Sequence, residues 1–494
     1  MQFDEFTALC GTFNVIPMAR TLLADMHTPV SAYLALRQGS RSSFLFESAE
    51  PNERIGRHSF IGADPVWLVR SGARGCEVVD GSGARPMDGN IFDVLRALSE
   101  RYRQAPLEAI EGFTGGFVGY LGYDTVRHLE RIPRGAAGPG QPDEAVLGLF
   151  DTMVRFDHML QTMTIIHNVV VAADRPLREQ FEAGRQKLDT LELRLRRPAL
   201  VPGRFTLEGS TEERMSREAY CEAVRCAKER IVEGDIFQVV LSRRVEVRYS
   251  GDLFPVYRAL RVINPSPYLF FLDFGDTALV GSSPELLLKV QDGTARVLPI
   301  AGTRRRGTSD AEDRALEEEL LQDQKELAEH IMLVDLGRND VGRIAQYGSV
   351  EVPILKRVER YSHVMHLVSE VTGKLQSGRS ALDALTACFP AGTVSGAPKV
   401  RAMEIISELE PVARGAYAGA VGYIGFNGSL DTCIAIRTII AHDGLLAVQA
   451  GAGIVADSVP EREYDETVNK SRALLEAVEA AARGLRVGPG PRFA

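Results

Sequence analysis

The chain has 494 residues, of which 45% are hydrophobic and 25% are charged, with a net charge of −9 at pH 7. This length exceeds the usual limit of a single core, so two domains or one large interwoven unit are expected. The acidic balance gives no reason to expect a nucleic-acid partner, and no apolar run reaches the roughly 18 residues of a membrane span.

The first twenty residues carry acids and no long apolar segment, so no signal peptide is expected. Six cysteines are scattered without CxxC spacing, which disfavours disulfides and zinc sites. These features predict a cytoplasmic protein in a reducing compartment.

The first 200 residues alternate strand-like runs with turns. The apolar run Phe44–Phe46 ends at Glu47 and Ser48. This pattern indicates either a strand that leads into a capped turn or a pocket for a ligand ammonium, and the residues alone leave both open. A charged helix is predicted from about 176 to 197, followed by a linker.

The second half begins near Met215 with a helix, a Gly-Asp turn and a strand. A long helix is predicted over roughly 311–337, with Leu320, Leu327, Ile331 and Val334 as its apolar stripe. A weak internal repeat relates GFVGYLGY, from 116, to GAVGYIGF, from 419. Two copies of a strand pair, one in each half, suggest two packed sheets of related build.

Near the C-terminus, Gly451, Ala452 and Gly453 are predicted to form a bare backbone turn. A helix follows, with Ser458 as a possible N-cap and Pro460 in its first turn. Glu463 and Glu466 are three residues apart and share a face of this helix near its positive end. Such a pair suits a small anion held through Mg²⁺, although a solvated acidic first turn is the simpler alternative.

Two further features point to an anionic ligand. Arg437 is predicted in the middle of an apolar strand, where an unpaired guanidinium is costly, so we expect it to face an anion. The loop from Ala391 is rich in Gly, Ser and Thr and precedes a helix, which is a geometry that cradles anions. In contrast, Glu329 and its neighbours on the predicted long helix read by themselves as ordinary surface charge.

Taken together, these residues form a set that resembles the chorismate-utilising enzymes. The resemblance covers the whole chain, loosely in the first 200 residues and densely from about Met215 to Leu475. It is carried by Phe237-Gln238, Pro284-Glu285, PIAGTRRRG from 299, ELAEHIMLVDLGRND from 326, YSHVMHLVSE from 361, GTVSGAPK from 392, LDTCIAIR from 430 and AGAGIVADSVPEREYDET from 450.

The repeat and the resemblance together predict an α+β fold of two mainly antiparallel β-sheets packed as a sandwich, with helices on the outside and interwoven halves. The expected organisation is an N-terminal regulatory region over 1–205, a chorismate-binding catalytic domain over 206–480 and a C-terminal tail over 481–494.

The resemblance also implies roles for single residues. The catalytic residues are Glu285, His366 and Thr393, with Glu285 protonating the departing ring hydroxyl and His366 assisting its loss and the later elimination of pyruvate. Mg²⁺ is the implied cofactor, held by Glu329, Glu463 and Glu466. The implied substrate-binding residues are Gly302, Thr303, Tyr417, Arg437, Gly451, Ala452 and Gly453, with Tyr417 and Arg437 on the enolpyruvyl carboxylate.

Two positions distinguish branches of the family. Members that form a covalent lysine intermediate carry lysine where this chain has Ala301, and members that activate water carry lysine where it has Gln238. With neither lysine present, ammonia is the implied nucleophile and anthranilate the implied product, in the first step of tryptophan biosynthesis. No glutaminase pattern is visible, so a separate glutamine amidotransferase subunit, component II, is expected to supply the ammonia within a heterotetramer.

The family resemblance extends to a tryptophan feedback site. The matching residues in this chain are Glu47, Ser48, Ser59, Pro267, Tyr268, Leu269, Val421, Tyr423 and Cys433. His58 stands where some members have lysine, and Arg57 is an alternative contact for the tryptophan carboxylate. A second hypothesis also stays open, namely a non-catalytic amino-acid-binding subunit that kept the fold and lost the chemistry.

Overall fold

The structure is a computed structural model that describes residues 1–49, 56–107, 110, 112–133, 142–197, 201–360 and 364–485. Residues 361–363, which begin the YSHVMHLVSE motif, and residues 486–494 of the expected tail lie outside the described residues. Within the described ranges, no helix is both long and apolar enough to cross a membrane.

The helices lie outside the sheets, most of them with one buried and one exposed face. They are α1 (Phe3–Cys10), α2 (Pro29–Leu36), α3 (Ile91–Ser99), α4 (Leu177–Leu195), α5 (Arg217–Val232), α6 (Phe254–Ile263), α7 (Asp310–Gln322), α8 (Gln324–Gly342), α9 (Ala381–Cys388), α10 (Lys399–Leu409) and α11 (Pro460–Arg483). Two short 3₁₀ turns span Tyr123–His128 and Gly392–Val394.

The strands in the first half of the chain are β1 (Val15–Leu23), β2 (Ser43–Glu47), β3 (His58–Ala63), β4 (Leu68–Gly72), β5 (Gly75–Asp80), β6 (Gly83–Met87), β7 (Gly116–Leu121), β8 (Ala145–Phe150), β9 (Thr152–Asp157) and β10 (Thr162–Val170). Those in the second half are β11 (Phe205–Glu213), β12 (Gln238–Gly251), β13 (Tyr268–Asp273), β14 (Thr277–Ser283), β15 (Leu286–Gln291), β16 (Thr294–Val297), β17 (Ile300–Arg305), β18 (Glu351–Arg360), β19 (Val364–Lys374), β20 (Gly396–Ala397), β21 (Ala420–Gly425), β22 (Leu430–Ile434), β23 (Thr438–His442) and β24 (Leu445–Ile454).

These strands form two large sheets, and the predicted sandwich is confirmed. The first sheet has the order β1-β10-β9-β3-β2-β13-β14-β23-β24-β12-β11, with β20 beside β12. The second has the order β17-β19-β16-β15-β22-β21-β7-β8-β4-β5-β6, with β18 beside β19. The pairings between named strands are antiparallel throughout the described residues.

Alternation along the strands of the first sheet separates two hydrophobic cores. On β2, Phe44 joins the core shared with the second sheet, whereas Leu45 joins the core under helices α2, α4, α6 and α11. Successive side chains of a strand point to opposite faces, so one five-residue strand contributes to both layers. The first sheet is therefore the central layer of the molecule.

The two halves of the chain meet at the centre of each sheet. In the first sheet β2 pairs with β13, and in the second β7 pairs with β21. The predicted repeat lies on this second seam, where Gly119 is directly opposite Gly422. Strand order on either side of each seam is mirrored, and both sheets contain strands from 1–205 and from 206–480.

The predicted single helix over 311–337 is wrong, because the chain breaks at Asp323. Asp323 has an extended backbone (ψ 104°), and its carboxylate accepts hydrogen bonds from the amides of Lys325 and Glu326 as the N-cap of α8. Its short acidic side chain stabilises a new helix start better than a helix interior. Of the predicted apolar stripe, Leu320 and Val334 are buried, but Ile331 is exposed.

The close approach of β7 to its neighbour β8 in the second sheet gives a prediction about stability. A Cβ on Gly119 would lie 2.0 Å from the carbonyl oxygen of Val146. Gly119→Ala should therefore force the strands apart and lower the free energy of unfolding by about 1–3 kcal/mol, seen as a reduced Tm.

Gly342→Ala is the matched control, because nothing lies within 4 Å of the added Cβ at the end of α8. Equal melting temperatures for the two variants would contradict this packing of β7 against β8.

Candidate active site

The chain crosses from one sheet to the other at two neighbouring points. Glu285 lies between β14 of the first sheet and β15 of the second, and Arg437 lies between β22 and β23. Because β14 pairs with β23 and β15 with β22, the crossings are side by side. The amide of Ser282 donates to the Arg437 carbonyl at 3.0 Å, and that of Ile434 donates to the Glu285 carbonyl at 3.0 Å.

Arg437 is therefore not in the middle of a strand, as predicted, but in the break between two. Its φ of +50° belongs to the left-handed region, which an irregular crossing accommodates and a regular strand does not. Burial lowers the pKa of its guanidinium, opposed by nearby Tyr417 and Glu466. Its Nη1 donates to the carbonyl of Lys470. A half-buried cation with few protein anions around it suits an anionic ligand.

The carboxyl group of Glu285 has the properties of a proton donor. Burial raises its pKa to about 7, and the neighbouring Thr393 hydroxyl and Lys470 ammonium offset this only in part. The Thr393 Oγ1 is buried and has no partner of good hydrogen-bond geometry among the described residues. Near neutral pH a substantial fraction of Glu285 is protonated, and the Thr393 hydroxyl is left for a ligand.

The prediction that Gly451, Ala452 and Gly453 form a turn is wrong. They lie in β24, where Gly451 is paired with Ser242 of β12. The glycines are required by close side chains. A Cβ on Gly451 would be 2.9 Å from the Tyr417 hydroxyl, and a Cβ on Gly453 would be 2.7 Å from the Gln238 amide nitrogen. Tyr417 is buried beside Arg437, and burial raises the pKa of its hydroxyl to about 12.

His366, on β19, contacts a bulge in β17 at Gly302. Its Nδ1 is 3.2 Å from the carbonyl oxygen of Gly302 and 3.1 Å from Thr303 Oγ1. Because a carbonyl only accepts, this contact assigns the proton to Nδ1 and leaves Nε2 as the basic nitrogen. Burial lowers the pKa of the ring, so the imidazole is neutral at pH 7. The structure thus pairs Gly302 and Thr303 with a histidine prepared to accept a proton.

Three carboxylates face this region from two helices. Glu329 is on α8, and Glu463 and Glu466 are on α11, which begins at Pro460 with Val459 rather than Ser458 as its N-cap. Burial raises the pKa of Glu329 and of Glu463, and repulsion from neighbouring carboxylates adds to both shifts. Glu466 pairs with Lys470 at 2.6 Å.

Whether these carboxylates fit Mg²⁺ depends on how many it needs. Across the described parts of the chain, no group of three His, Cys, Asp or Glu side chains is close enough to hold a metal. However, Mg²⁺ commonly binds one or two carboxylates and completes its shell with water and substrate oxygens. Glu329 and Glu463 are half-buried and repel each other. Their carboxylates are hard oxygen donors whose charge a cation would neutralise, so this donor set fits Mg²⁺.

Lys470 is a site residue that sequence reasoning missed. Its ammonium donates to the Gly451 carbonyl at 2.9 Å and pairs with Glu466, while its own carbonyl accepts from Arg437. Its charge also lowers the pKa of Glu285. In the sequence it is the lysine of an ordinary i, i+4 pair on a helix, a pattern that usually marks solvent-exposed surface.

A cavity of about 860 Å³ lies at the seam between the two halves. It brings together seven residues of the expected tryptophan site: Glu47, Ser48, Pro267, Tyr268, Leu269, Val421 and Tyr423. Cys433 also lines it. Glu47 is buried at the end of β2 and accepts hydrogen bonds from Tyr257 and Arg261. This cavity contains a buried anion at one end, as an ammonium site requires.

The other walls of this cavity are aromatic. Phe113 stacks on Tyr423 with ring centroids 4.0 Å apart, and Phe60 packs edge-on against both rings. Neither phenylalanine was predicted, because isolated aromatics in strands usually signal core. Ser59 does not line the cavity and instead hydrogen-bonds His158. Burial and nearby Arg155 lower the pKa of His58 to about 4, so His58 is uncharged at neutral pH.

Comparison with known proteins extends over nearly the whole chain. A family model described as chorismate binding enzyme matches residues 26–476. Anthranilate synthase component 1 of Acetivibrio thermocellus is 46% identical over 486 residues, which is 97% of this chain and 98% of that protein. The Pseudomonas putida protein of the same name is 45% identical over 494 residues, at 97% and 99% coverage. The crystal structure of anthranilate synthase component I from Streptococcus pneumoniae TIGR4 superposes with a TM-score of 0.76, at 36% identity, covering 92% of this chain and 98% of that one.

The raised pKa of Glu285 gives a prediction about stability against pH. The folded state binds its proton up to about pH 7, above the ordinary value of 4.5, so this contribution is present in acid and is lost as pH rises through 7. Glu285→Gln, which mimics the protonated form, should be more stable than wild type at pH 8 by on the order of 3 kcal/mol, seen as a higher Tm. The difference should vanish below about pH 4, where the carboxyl is protonated in both the folded and the unfolded state.

Glu476→Gln serves as the control, because Glu476 is exposed on α11. A Glu285→Gln protein that is no more stable than wild type at pH 8 would mean that this carboxyl is already solvated.

Proposed function

The chain belongs to the family of chorismate-binding enzymes, and we propose that it converts chorismate and ammonia into anthranilate, pyruvate and water. This is the reaction that its relatives' names indicate, and it would make the chain the first enzyme of tryptophan biosynthesis. The observation that carries the proposal is the adjacency of Glu285 and Arg437 at two hydrogen-bonded sheet crossings. One supplies a half-buried acid and the other a half-buried cation for a carboxylate.

Chorismate has two carboxylates, and the site offers a different environment for each. Arg437 and Tyr417, which lie together behind Gly451, would bind the enolpyruvyl carboxylate through a charge-assisted hydrogen bond. The ring carboxylate would lie near Gly302, Thr303 and Thr393. Amides of the β24 segment 451–453 would complete this side. The buried Thr393 hydroxyl would then gain the partner that the protein does not provide.

Glu329, Glu463 and Glu466 would hold Mg²⁺ near the ring carboxylate. The bound ion would supply a Lewis acid that polarises the ring for loss of its hydroxyl. Lys470 would orient Glu466 through their 2.6 Å ion pair. The chain itself therefore provides both the negative charge for the ion and the helix frame that carries it.

Proton transfers complete the reaction. Ammonia adds at the ring carbon next to the one that bears the carboxylate, the ring hydroxyl leaves as water with a proton from Glu285, and the added nitrogen loses one proton to solvent. His366 then takes the ring proton from the aminated carbon through Nε2, the ether C–O bond breaks, and the released enolpyruvate takes up a proton to become pyruvate. A carboxyl with a pKa of about 7 and an imidazole with a lowered pKa suit these opposite roles.

The ammonia would come from a separate glutaminase subunit. Relatives named component 1 imply a second component, and this chain has Ala301 and Gln238 where other branches carry a catalytic lysine. The Gln238 amide packs against Gly453, so it would border the substrate without activating water. Ammonia needs no such base, because its lone pair is already available.

Tryptophan would bind in the cavity at the seam and inhibit the enzyme. The buried Glu47 and adjacent Ser48 would bind its ammonium, while Leu269, Val421 and the aromatic wall of Tyr423 would hold the indole. Because the cavity is lined by β2 and β13 from opposite halves, the ligand would favour one arrangement of those halves.

Turnover tests the proposal against the alternative of a non-catalytic amino-acid-binding subunit. With chorismate, ammonium and Mg²⁺, the purified chain should form fluorescent anthranilate and an equal amount of pyruvate. Glu466→Gln should reduce turnover by at least a hundredfold at limiting Mg²⁺, because it removes a charged oxygen donor.

Glu476→Gln, an exposed change on the same helix, should retain wild-type turnover. A wild-type chain that binds tryptophan but forms no anthranilate would support the binding-subunit alternative.

Regulation is tested at Ser48. Its hydroxyl should donate or accept one hydrogen bond with a charged ligand group, worth on the order of 1.5–3 kcal/mol. Ser48→Ala should therefore raise the tryptophan concentration for half-inhibition by roughly tenfold or more, with uninhibited kcat nearly unchanged. Ser429→Ala is the control, because that cavity hydroxyl bonds locally to Asn427. Unchanged inhibition of Ser48→Ala would mean that β2 merely ends in a capped turn.

A further inference from the structure

Arg304, next to Thr303 on β17, joins three elements at the edge of the active site. Its Nε donates to Glu319 of α7 at 3.0 Å, and its Nη2 donates to Asp323, the N-cap of α8, at 2.7 Å. Its Nη1 donates to Glu326 in the first turn of α8 at 3.2 Å and to the Thr303 carbonyl at 3.1 Å. The side chain is 19% exposed, so these bonds form in a largely enclosed place.

On the helix side, these contacts fix the start of α8. Asp323 and Glu326 define the first turn of this helix, and Glu329 lies one turn further on the same helix. Glu326 also reaches back to β17, since its Oε2 is 3.3 Å from the position of a Cβ on Gly302. The position of Glu329 relative to β17 therefore depends on the bonds that Arg304 makes.

On the strand side, Arg304 adjoins the β17 bulge that orients His366. Gly302 and Thr303 both contact His366 Nδ1, and the Thr303 carbonyl accepts from Arg304. Arg304 thus lies between the β17 bulge, which contacts His366, and the start of α8, the helix that carries Glu329. A single planar guanidinium bridges the two because its donors point in fixed directions.

Apolar packing contributes little at this place. Among the residues that the structure describes, the hydrophobic cluster under α7 has Leu320, Met365 and Leu367 as its buried members and is separate from the two main cores. Hydrogen bonds and ion pairs must therefore do much of the holding that side-chain packing does elsewhere in the fold.

We propose that Arg304 is a positioning residue that holds the α8 carboxylate Glu329 in place relative to the β17 bulge, and therefore relative to His366, so that Glu329 can bind the divalent cation. The proposal rests on the metal role assigned under the proposed function. The alternative is that Arg304 only anchors α7, through its hydrogen bond to Glu319. The neighbouring Arg305 provides a contrast, because it pairs with Glu312 on α7 and is 64% exposed.

The test is Mn²⁺ binding to the free enzyme, measured by electron paramagnetic resonance without chorismate. Arg304→Ala should weaken Mn²⁺ binding by about 10–100-fold, the range typical of residues that orient a metal ligand. Arg304→Lys should recover part of this loss, because an ammonium keeps the charge and loses the fork. In turnover assays, Arg304→Ala should need correspondingly more Mg²⁺ and regain activity when Mg²⁺ is raised.

Two matched variants separate the proposal from simple anchoring. Arg305→Ala should bind Mn²⁺ within about twofold of wild type, as should Glu319→Ala, which removes the contact to α7 and keeps those to α8. Equal losses in Arg304→Ala and Glu319→Ala, or no loss in Arg304→Ala, would overturn the proposal.

Folding and the metal assignment are checked separately. The melting temperature of each variant identifies any that fails to fold, and Arg304→Lys then replaces Arg304→Ala in the comparison, where wild-type Mn²⁺ affinity would overturn the proposal. A wild-type chain that does not bind Mn²⁺ would refute the metal role itself, and with it this inference.

Discussion

The active site depends on two strand crossings that hydrogen-bond to each other between the sheets. At each crossing the chain leaves one ladder and enters the other, so a short irregular segment is held on both sides by regular strands. Glu285 and Arg437 occupy these segments and are fixed by the backbone bonds of Ser282 and Ile434. A half-buried acid and a half-buried cation remain in place here because the backbone pairing of the two sheets determines where they lie.

The mirrored strand order connects this site to the cavity at the seam. β21 carries Val421 and Tyr423 in the cavity wall and begins just after Tyr417, whereas β22 carries Cys433 and ends just before Arg437. A displacement of either strand at the cavity therefore moves a residue that would bind substrate. This arrangement gives the proposed tryptophan inhibition a direct mechanical route through continuous backbone.

The site is costly to the fold, and the surrounding structure offsets that cost. Burial raises the pKa of Glu285 and lowers that of Arg437, because it disfavours the charged form of both groups relative to solvent. Behind Tyr417, the fully buried Arg414 pairs with Glu410 and lies over the Tyr417 ring at 5.6 Å. A buried, hydrogen-bonded ion pair of this kind rigidifies the wall of the site behind Tyr417.

The sequence alone predicted the sandwich of two antiparallel sheets and the family, which are confirmed, and it named candidate residues for both sites, because alternation, repeats and motif order can be recognised without coordinates. The predicted turn at Gly451–Gly453 is a strand, because glycines in a sequence suggest a turn until the neighbouring strands are known. The predicted strand position of Arg437 is a break between two strands, because its apolar neighbours do not reveal its positive φ. Sequence reasoning also missed Lys470, Phe60 and Phe113, whose patterns match ordinary surface or core. Only the tertiary structure decided these, because close approach, burial and the pairing of distant strands arise when segments hundreds of residues apart are packed together.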